Sequence, residues 1–179
     1  MATNVYILLF RGINVGGNKI VKMETLRKVL GDAGFGDVAT YIQSGNVVLT
    51  SDKSEAAVVA TVTKVFDETF GFSSRPTIRS FSQLKRVIKD NPFESVPGNQ
   101  LHAVFLDEKP RAEAIPALEA LARTERMAET DGVLYLYTPD GFGTSDVAKA
   151  LEKTLKVPWT ARNWNTVLKL QSMAEAAGG

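Results

Sequence analysis

Residues 5–10 read VYILLF, and residues 11–30 continue as RGINVGGNKIVKMETLRKVL. A short apolar run that stops at an arginine and a glycine is typical of a strand buried on both faces. The glycine-bearing segment predicts a loop, and the apolar residues after it recur at helical spacing. These residues are Met23, Leu26, Val29 and Leu30. The chain therefore begins with a strand, a loop and a helix.

The next segments complete a repeating unit. Residues 38–43 and 46–50 are predicted as two strands of a tight hairpin joined through Ser44-Gly45. A capping pattern then opens a helix over about 54–70, and residues 75–80 predict a fourth strand. The order β-α-β-β-α-β is that of a ferredoxin-like unit.

The same order recurs after a linking helix at 82–89. The later elements are predicted as a strand at 101–107, a helix at 110–125 that Pro116 kinks or restarts, a hairpin of 126–131 and 133–138, a helix at 145–157, a closing strand at 159–162 and a terminal helix at 165–177. We therefore predict an α+β fold of tandem duplicated ferredoxin-like halves with a linking helix and a C-terminal helix. The expected domains are 1–80, 81–98 and 99–179.

Composition excludes several classes of chemistry. The chain of 179 residues has no cysteine and a single histidine, His102, so thiol catalysis, cysteine-ligated metals and multi-histidine metal sites are excluded. His102 lies in an apolar strand and is interpreted as a satisfied structural residue. We expect no cofactor, no metal, no membrane partner and a cytoplasmic location, since no apolar run approaches the length of a membrane helix.

The net charge of +1 conceals an asymmetry. Residues 1–90 carry 12 Lys+Arg and 8 Asp+Glu, a balance of +4, whereas residues 91–179 carry 9 and 12, a balance of −3. A nearly neutral protein produces no long-range electrostatic field that would attract nucleic acid. If the protein has an anion site, the first half is favoured for it.

Three polar motifs are candidates for such a site. Residues 11–19, RGINVGGNK, form a glycine-rich, flexible loop between a strand and a helix, which suits an anion, although glycines in a tight crossover explain the motif equally well. Residues 41–46, YIQSGN, are either a plain hairpin turn or a polar face beside that loop. Residues 160–166 read TARNWNT. Either Arg162 binds an anion, or the motif is structural, with Asn165 or Thr166 capping the last helix and Trp164 anchoring it in the core.

These motifs carry a resemblance. The chain resembles the bacterial domain of unknown function family 1697 in Arg11–Gly17 with Lys19 and Ile20, in Tyr41–Val48 and in Arg162–Leu170. The resemblance implies a duplicated ferredoxin-like fold, and it implies no activity, substrate or cofactor.

We therefore predict a polar pocket between the halves that binds a small anionic or phosphate-bearing ligand. Its expected lining is Arg11, Asn14, Lys19, Gln43, Asn46, Arg162 and Asn163. Two alternatives stay open: a nucleic-acid-binding protein that uses the basic first half, and a protein-interaction or structural module. The sequence does not decide between an enzyme and a binding protein, and it leaves the oligomeric state open.

Overall fold

The computed structural model describes residues 2–178 and has an α+β fold, as predicted. The strands are β1 Asn4–Leu9, β2 Gly36–Tyr41, β3 Asn46–Ser51, β4 Thr77–Ser80, β5 Leu101–Leu106, β6 Arg126–Thr130, β7 Val133–Tyr137 and β8 Trp159–Asn163. The helices are α1 Met23–Asp32, α2 Glu55–Phe70, α3 Phe81–Lys89, α4 Ala114–Glu119, α5 Asp146–Lys149, α6 Leu151–Leu155 and α7 Trp164–Ala176.

The chain divides into two compact units. The first comprises Met1–Arg86 with Lys169–Gly179, and the second comprises Val87–Leu168, so the boundaries fall inside α3 and α7. Each unit contains one four-stranded antiparallel sheet, with the strand orders β2-β3-β1-β4 and β6-β7-β5-β8. The domain boundaries expected at 80 and 98 stay a prediction.

The first unit packs α1 and α2 on one face of its sheet. Tyr6, Leu8 and Phe10 point to these helices because alternate residues of a strand share a face. The Phe66 ring of α2 stacks on Phe10 with centroids 5.0 Å apart. Val5, Ile7 and Leu9, on the other face of β1, are also buried, which confirms the prediction from VYILLF that both faces of this strand are covered.

The second unit has shorter helices than predicted. The expected helix over 110–125 is wrong in length: α4 covers Ala114–Glu119 only, with Pro116 in its first turn. A proline there removes an N–H that has no intrahelical partner, so no kink results. The expected helix over 145–157 is interrupted at Ala150, and α6 is followed by Lys156, whose left-handed φ of 55° ends the helix.

The end of α3 and the start of α7 contact Tyr135 of β7. The Tyr135 hydroxyl donates to the Val87 carbonyl at 2.7 Å, and its ring lies 6.2 Å from that of Trp164. Burial raises the pKa of Tyr135 to about 12.

The closing strand β8 pairs with β5, as expected. Over residues 2–178, no helix is both long and apolar enough to cross a bilayer.

Gly45 allows the β2–β3 turn to lie against the segment that follows β1. Gly45 has φ of +88°, its carbonyl accepts from Phe10 N at 2.9 Å, and a Cβ there would lie 2.7 Å from Ile13 Cδ1 and 2.8 Å from Phe10 Cβ. We predict that Gly45→Ala lowers the free energy of unfolding by about 2–3 kcal/mol, through the left-handed conformation and the overpacking.

Gly31→Ala is the matched control, measured by urea unfolding alongside. Gly31 lies in α1 and has open space where its Cβ would stand. Because alanine is the better helix former, this variant should gain about 0.5–1 kcal/mol. Equal stability of the two variants would contradict the account of Gly45.

Candidate functional site

Three connections meet at one end of the first sheet. In an antiparallel sheet the end of β1, the end of β2, the start of β3 and the start of β4 lie together. The segments that join these strand ends are residues 10–22 between β1 and α1, residues 42–45 between β2 and β3, and residues 71–76 between α2 and β4. The first two are the glycine-rich motif and the YIQSGN motif.

The glycine-rich motif is an ordered small hairpin rather than the flexible loop that the sequence suggested. Asn14 N donates to the Lys19 carbonyl at 3.0 Å, and Asn18 N donates to the Val15 carbonyl at 3.0 Å. Gly16 and Gly17, at its tip, have φ of 59° and 77°. Positive φ at both central residues is the requirement of the tightest hairpin turns, which explains the glycine pair.

The side chain of Asn14 joins this hairpin to the β2–β3 turn. Its Nδ2 donates to the carbonyls of Val21 at 2.9 Å and Gln43 at 2.7 Å, and its Oδ1 accepts from Val21 N at 2.7 Å. Both amide hydrogens and the amide oxygen are therefore used within the fold. Asn14 itself has a left-handed backbone with φ of 54°, which asparagine tolerates better than most residues.

Asn46 is a structural residue of the same turn. It is fully buried, and its Nδ2 donates to the Tyr41 carbonyl at 3.0 Å and to Ser44 Oγ at 3.1 Å. These bonds close the four-residue turn between β2 and β3. The predicted role of Asn46 in lining a ligand site is not supported by its burial, whereas Gln43 is exposed on the turn.

Cations surround these connections. We call the surface of residues 10–23, 41–46 and 71–76 the basic end, because its exposed charged residues are all cations and these ranges contain no Asp or Glu. The exposed cations are Arg11, Lys19, Lys22 and Arg75. Lys19 Nζ lies 5.7 Å from the centroid of the Phe72 ring, and Ser74 Oγ donates to the Arg11 carbonyl at 3.5 Å. A further lysine, Lys169 of α7, lies 5.8 Å from the Tyr41 ring in the same unit.

The remaining predicted site residues, Arg162 and Asn163, lie in β8 of the second unit. Asn163 Oδ1 accepts from Thr166 N at 3.0 Å and so caps α7, which corrects the expected caps Asn165 and Thr166. Arg162 Nη1 donates to the Ala161 carbonyl at 2.9 Å, and burial lowers the pKa of its guanidinium to about 10. Trp164 is buried and donates its backbone N–H to Gly98, as expected of a core anchor.

The structure thus brings five of the seven predicted residues together in the first unit. Arg11, Asn14, Lys19 and Gln43 share the basic end, and Asn46 lies inside it. Sequence analysis missed Arg75 because 75–80 was predicted as strand, whereas β4 starts only at Thr77. The signal that could have found it is the absence of Asp and Glu from all three connecting segments.

A cavity of about 150 Å³ in the second unit is a weaker candidate, because its polar groups satisfy one another. Ser145 Oγ donates to Glu125 Oε2 at 2.6 Å, and Thr124 Oγ1 donates to Asp140 Oδ2 at 2.6 Å. The Ser145 bond, helped by backbone N–H groups, lowers the pKa of Glu125 to about 2. Asp140 is part of this network. Among residues 2–178 no cluster of His, Cys, Asp and Glu could hold a metal.

Comparisons with known proteins identify the family. The profile of the family described as "Protein of unknown function (DUF1697)" matches residues 3–135, so the chain belongs to that family. The matched range contains the first two motifs, whereas the motif at 162–170 lies beyond it. A solved structure, "The structure of conserved bacterial protein SP0830 from Streptococcus pneumoniae", is similar with a TM-score of 0.75 and 27% identity, over 97% of this chain and 99% of that one. No curated protein matches significantly.

His102 differs from the satisfied residue expected of it. Its Nδ1 is buried and finds no hydrogen-bond partner within the described part of the chain, and its ring stacks on Phe142 with centroids 4.0 Å apart. Burial lowers its pKa from 6.5 to about 4. The neutral imidazole is therefore the form that suits the fold.

This shift predicts a pH dependence of stability. Between pH 6.5 and pH 4 the unfolded chain binds a proton at His102 that the folded chain does not, so the stability falls as the pH falls through this window. Allowing for partial exposure of the ring, we expect a loss of about 2 kcal/mol. Urea unfolding of the protein and of His102→Leu at pH 7 and pH 4 isolates this term. An identical pH dependence in both proteins would contradict it.

The Asn14 bonds predict that, of the two asparagines in the hairpin, only Asn14 contributes strongly to the free energy of unfolding. Asn14→Ala should lower the free energy of unfolding by about 2–3 kcal/mol, because it leaves the Val21 and Gln43 backbone groups without this partner. It should also speed hydrogen exchange of the Val21 amide. The exposed Asn18 provides the control, and Asn18→Ala should change the stability by less than about 0.5 kcal/mol.

Proposed function

We propose that this protein binds a small phosphate-bearing anion at the basic end of its first unit. One observation carries the proposal: three separate connections, joined through Asn14, Gly45 and Ser74, contribute the exposed cations Arg11, Lys19, Lys22 and Arg75, and residues 10–23, 41–46 and 71–76 contain no Asp or Glu. Such a local excess of cations favours anions irrespective of the overall net charge.

The backbone of the hairpin tip favours phosphate in particular. Gly16 and Gly17 are exposed, and a Cβ at either position would have no heavy atom within 4 Å. A ligand can therefore approach the main chain closely, where N–H groups add to the bonds of lysine and arginine. The pair Arg11 and Lys19 is expected to contribute most, since the two residues flank the hairpin.

The proposal is limited to the first unit. Asn163 is used as a helix cap in its own unit, and Asn14 and Asn46 are used to build the loops. Arg11, Lys19 and Gln43 are therefore the proposed ligand contacts among the residues predicted from the sequence, with Lys22 and Arg75 added.

We also propose that each unit is a ferredoxin-like fold and that the chain is their tandem duplication. Corresponding strand orders support this, and so do corresponding residues in β4 and β8. Arg79 and Arg162 each bond the preceding carbonyl at 2.9 Å, and each is followed by a helix-capping residue, Ser80 or Asn163. The bacterial origin of the similar structure supports a bacterial source, and we propose the cytoplasm as the location.

Pyrophosphate at low ionic strength tests the proposed function. Bound ligand at about 100 times its Kd raises the free energy of unfolding by about 2.7 kcal/mol, and each kcal/mol moves the Tm of a chain of this size by about 2–4 °C. We expect a shift of this order for the protein and at least a tenfold weaker Kd for Arg11→Ala and for Lys19→Ala, by titration calorimetry.

Lys53→Ala is the matched control, because Lys53 follows β3 at the opposite end of the same sheet. It should bind pyrophosphate like the unmodified protein. The proposal is wrong if pyrophosphate causes no shift, or if Lys53→Ala weakens binding as much as Lys19→Ala does. Short single-stranded RNA is the second ligand: affinity that falls steeply with salt and exceeds that for pyrophosphate would instead favour nucleic acid.

A further inference from the structure

Three exposed aliphatic side chains lie on the basic end and have no role in the fold described so far. Val15 is 64% exposed, Ile20 58% and Ile42 52%, and these are the three most exposed large apolar side chains in the described part of the chain. Exposed aliphatic residues are ordinary when scattered, but these occupy two neighbouring connections.

The Asn14 bonds join the backbone segments that carry these three residues. Val15 follows Asn14, Ile20 precedes its partner Val21, and Ile42 precedes its partner Gln43. Because Asn14 Nδ2 reaches the Val21 and Gln43 carbonyls within 3 Å, the three aliphatic residues project from one connected piece of backbone. Arg11, Lys19 and Lys22 belong to the same segment.

Ile42 has a conformation that folding alone disfavours. Its φ is 51°, in the left-handed region where a β-branched side chain is strained. Asparagine or glycine would suit this turn position better and would not expose an aliphatic side chain to water. An isoleucine that is both strained and exposed points to use of its side chain in binding.

The composition of the surface distinguishes between partners. Protein interfaces favour exposed aromatic residues and arginine and are poor in lysine, and single-stranded nucleic acids require exposed rings for stacking. Here the rings Tyr41 and Phe72 are only partly exposed, with lysines over them, and the exposed apolar groups are aliphatic. Aliphatic side chains surrounded by lysine and arginine match the interface of an anionic bilayer.

We propose that the basic end docks on an anionic phospholipid membrane surface. Val15, Ile20 and Ile42 enter the interface between headgroups and acyl chains, and Arg11, Lys19, Lys22 and Arg75 contact the headgroup phosphates. The inference rests on the proposed function, since the lipid phosphate is then the anion that the basic end binds. The expectation of no membrane partner came from the lack of an apolar run long enough to span a bilayer, and docking on a membrane surface needs no such run. Charges beyond about 8–10 Å are screened, so the local surface decides.

Co-sedimentation with vesicles tests the docking. We expect binding to vesicles of equal parts phosphatidylglycerol and phosphatidylcholine and none to phosphatidylcholine alone. Val15→Thr combined with Ile20→Thr should lower the partition coefficient about tenfold, because the branching at Cβ is kept while apolar groups are lost from the interface. Lys19→Glu should lower it by at least as much. Leu121→Thr and Lys53→Glu are the controls, an exposed apolar residue in the other unit and a lysine at the other end of the sheet.

Ile42→Asn separates docking from folding. Asparagine relieves the strain at this φ, so the Tm should rise by about 2–4 °C while the partition coefficient falls severalfold. A loss of vesicle binding in a more stable protein excludes unfolding as its cause. Unchanged vesicle binding in both Ile42→Asn and the Val15 and Ile20 double variant would overturn the docking.

Pyrophosphate and vesicle binding, measured separately, distinguish this inference from the proposed function. Pyrophosphate binding without vesicle binding overturns the docking and leaves anion binding intact. Vesicle binding that depends on Lys19 but not on the aliphatic residues also overturns the docking. The docking is likewise overturned if the protein binds single-stranded RNA or an acidic peptide but not vesicles, and if the aliphatic variants weaken that binding. Failure to bind pyrophosphate and vesicles alike removes both proposals.

Discussion

The carboxamide of Asn14 connects segments that lie far apart in the sequence. It bonds Val21 on one side and the Gln43 carbonyl, 29 residues away, on the other. These bonds attach the 14–19 hairpin to the β2–β3 turn in addition to its own two ends. The second support is the close approach of Gly45 to Phe10 and Ile13, which leaves no room for a side chain. The amide of Asn14 and the lack of a Cβ at Gly45 therefore determine the shape of the basic end. The cations and the exposed aliphatic residues project from this backbone.

Net charge describes this molecule poorly, because its ionic groups are segregated along the chain. The connecting segments at one end of the first sheet lack Asp and Glu, whereas the opposite end holds Asp52 and Lys53 side by side. Salt screens charges that are more than about 10 Å apart, so a ligand at the basic end responds to the nearest four or five residues. A chain with a net charge of +1 can in this way present a strongly cationic surface.

Polar motifs that stand out in a sequence often serve the fold. Asn46 closes a turn, Asn163 caps a helix, and Asn14 joins two loops, although all three were predicted to line a ligand site. Asparagine is suited to these tasks because its amide offers donors and an acceptor on a short side chain. The residues left facing solvent, among them Lys19, Gln43 and Ile42, were less conspicuous as a group, since they are separated by more than twenty positions.

Local sequence patterns were sufficient to predict the α+β class, the eight strands, most of the helices and a two-half organisation, because periodicity and turn residues are local properties. Boundaries that depend on packing were less predictable: Pro116 falls in a first helical turn, and the helix expected at 145–157 breaks at Ala150. Which polar residues are used in hydrogen bonds within the fold became visible only in the folded chain. The tertiary structure also brought Arg75 and Ile42 to the glycine hairpin. The physical reason is that such contacts depend on the antiparallel order of β2, β3, β1 and β4, which collects distant loops at one end of a sheet.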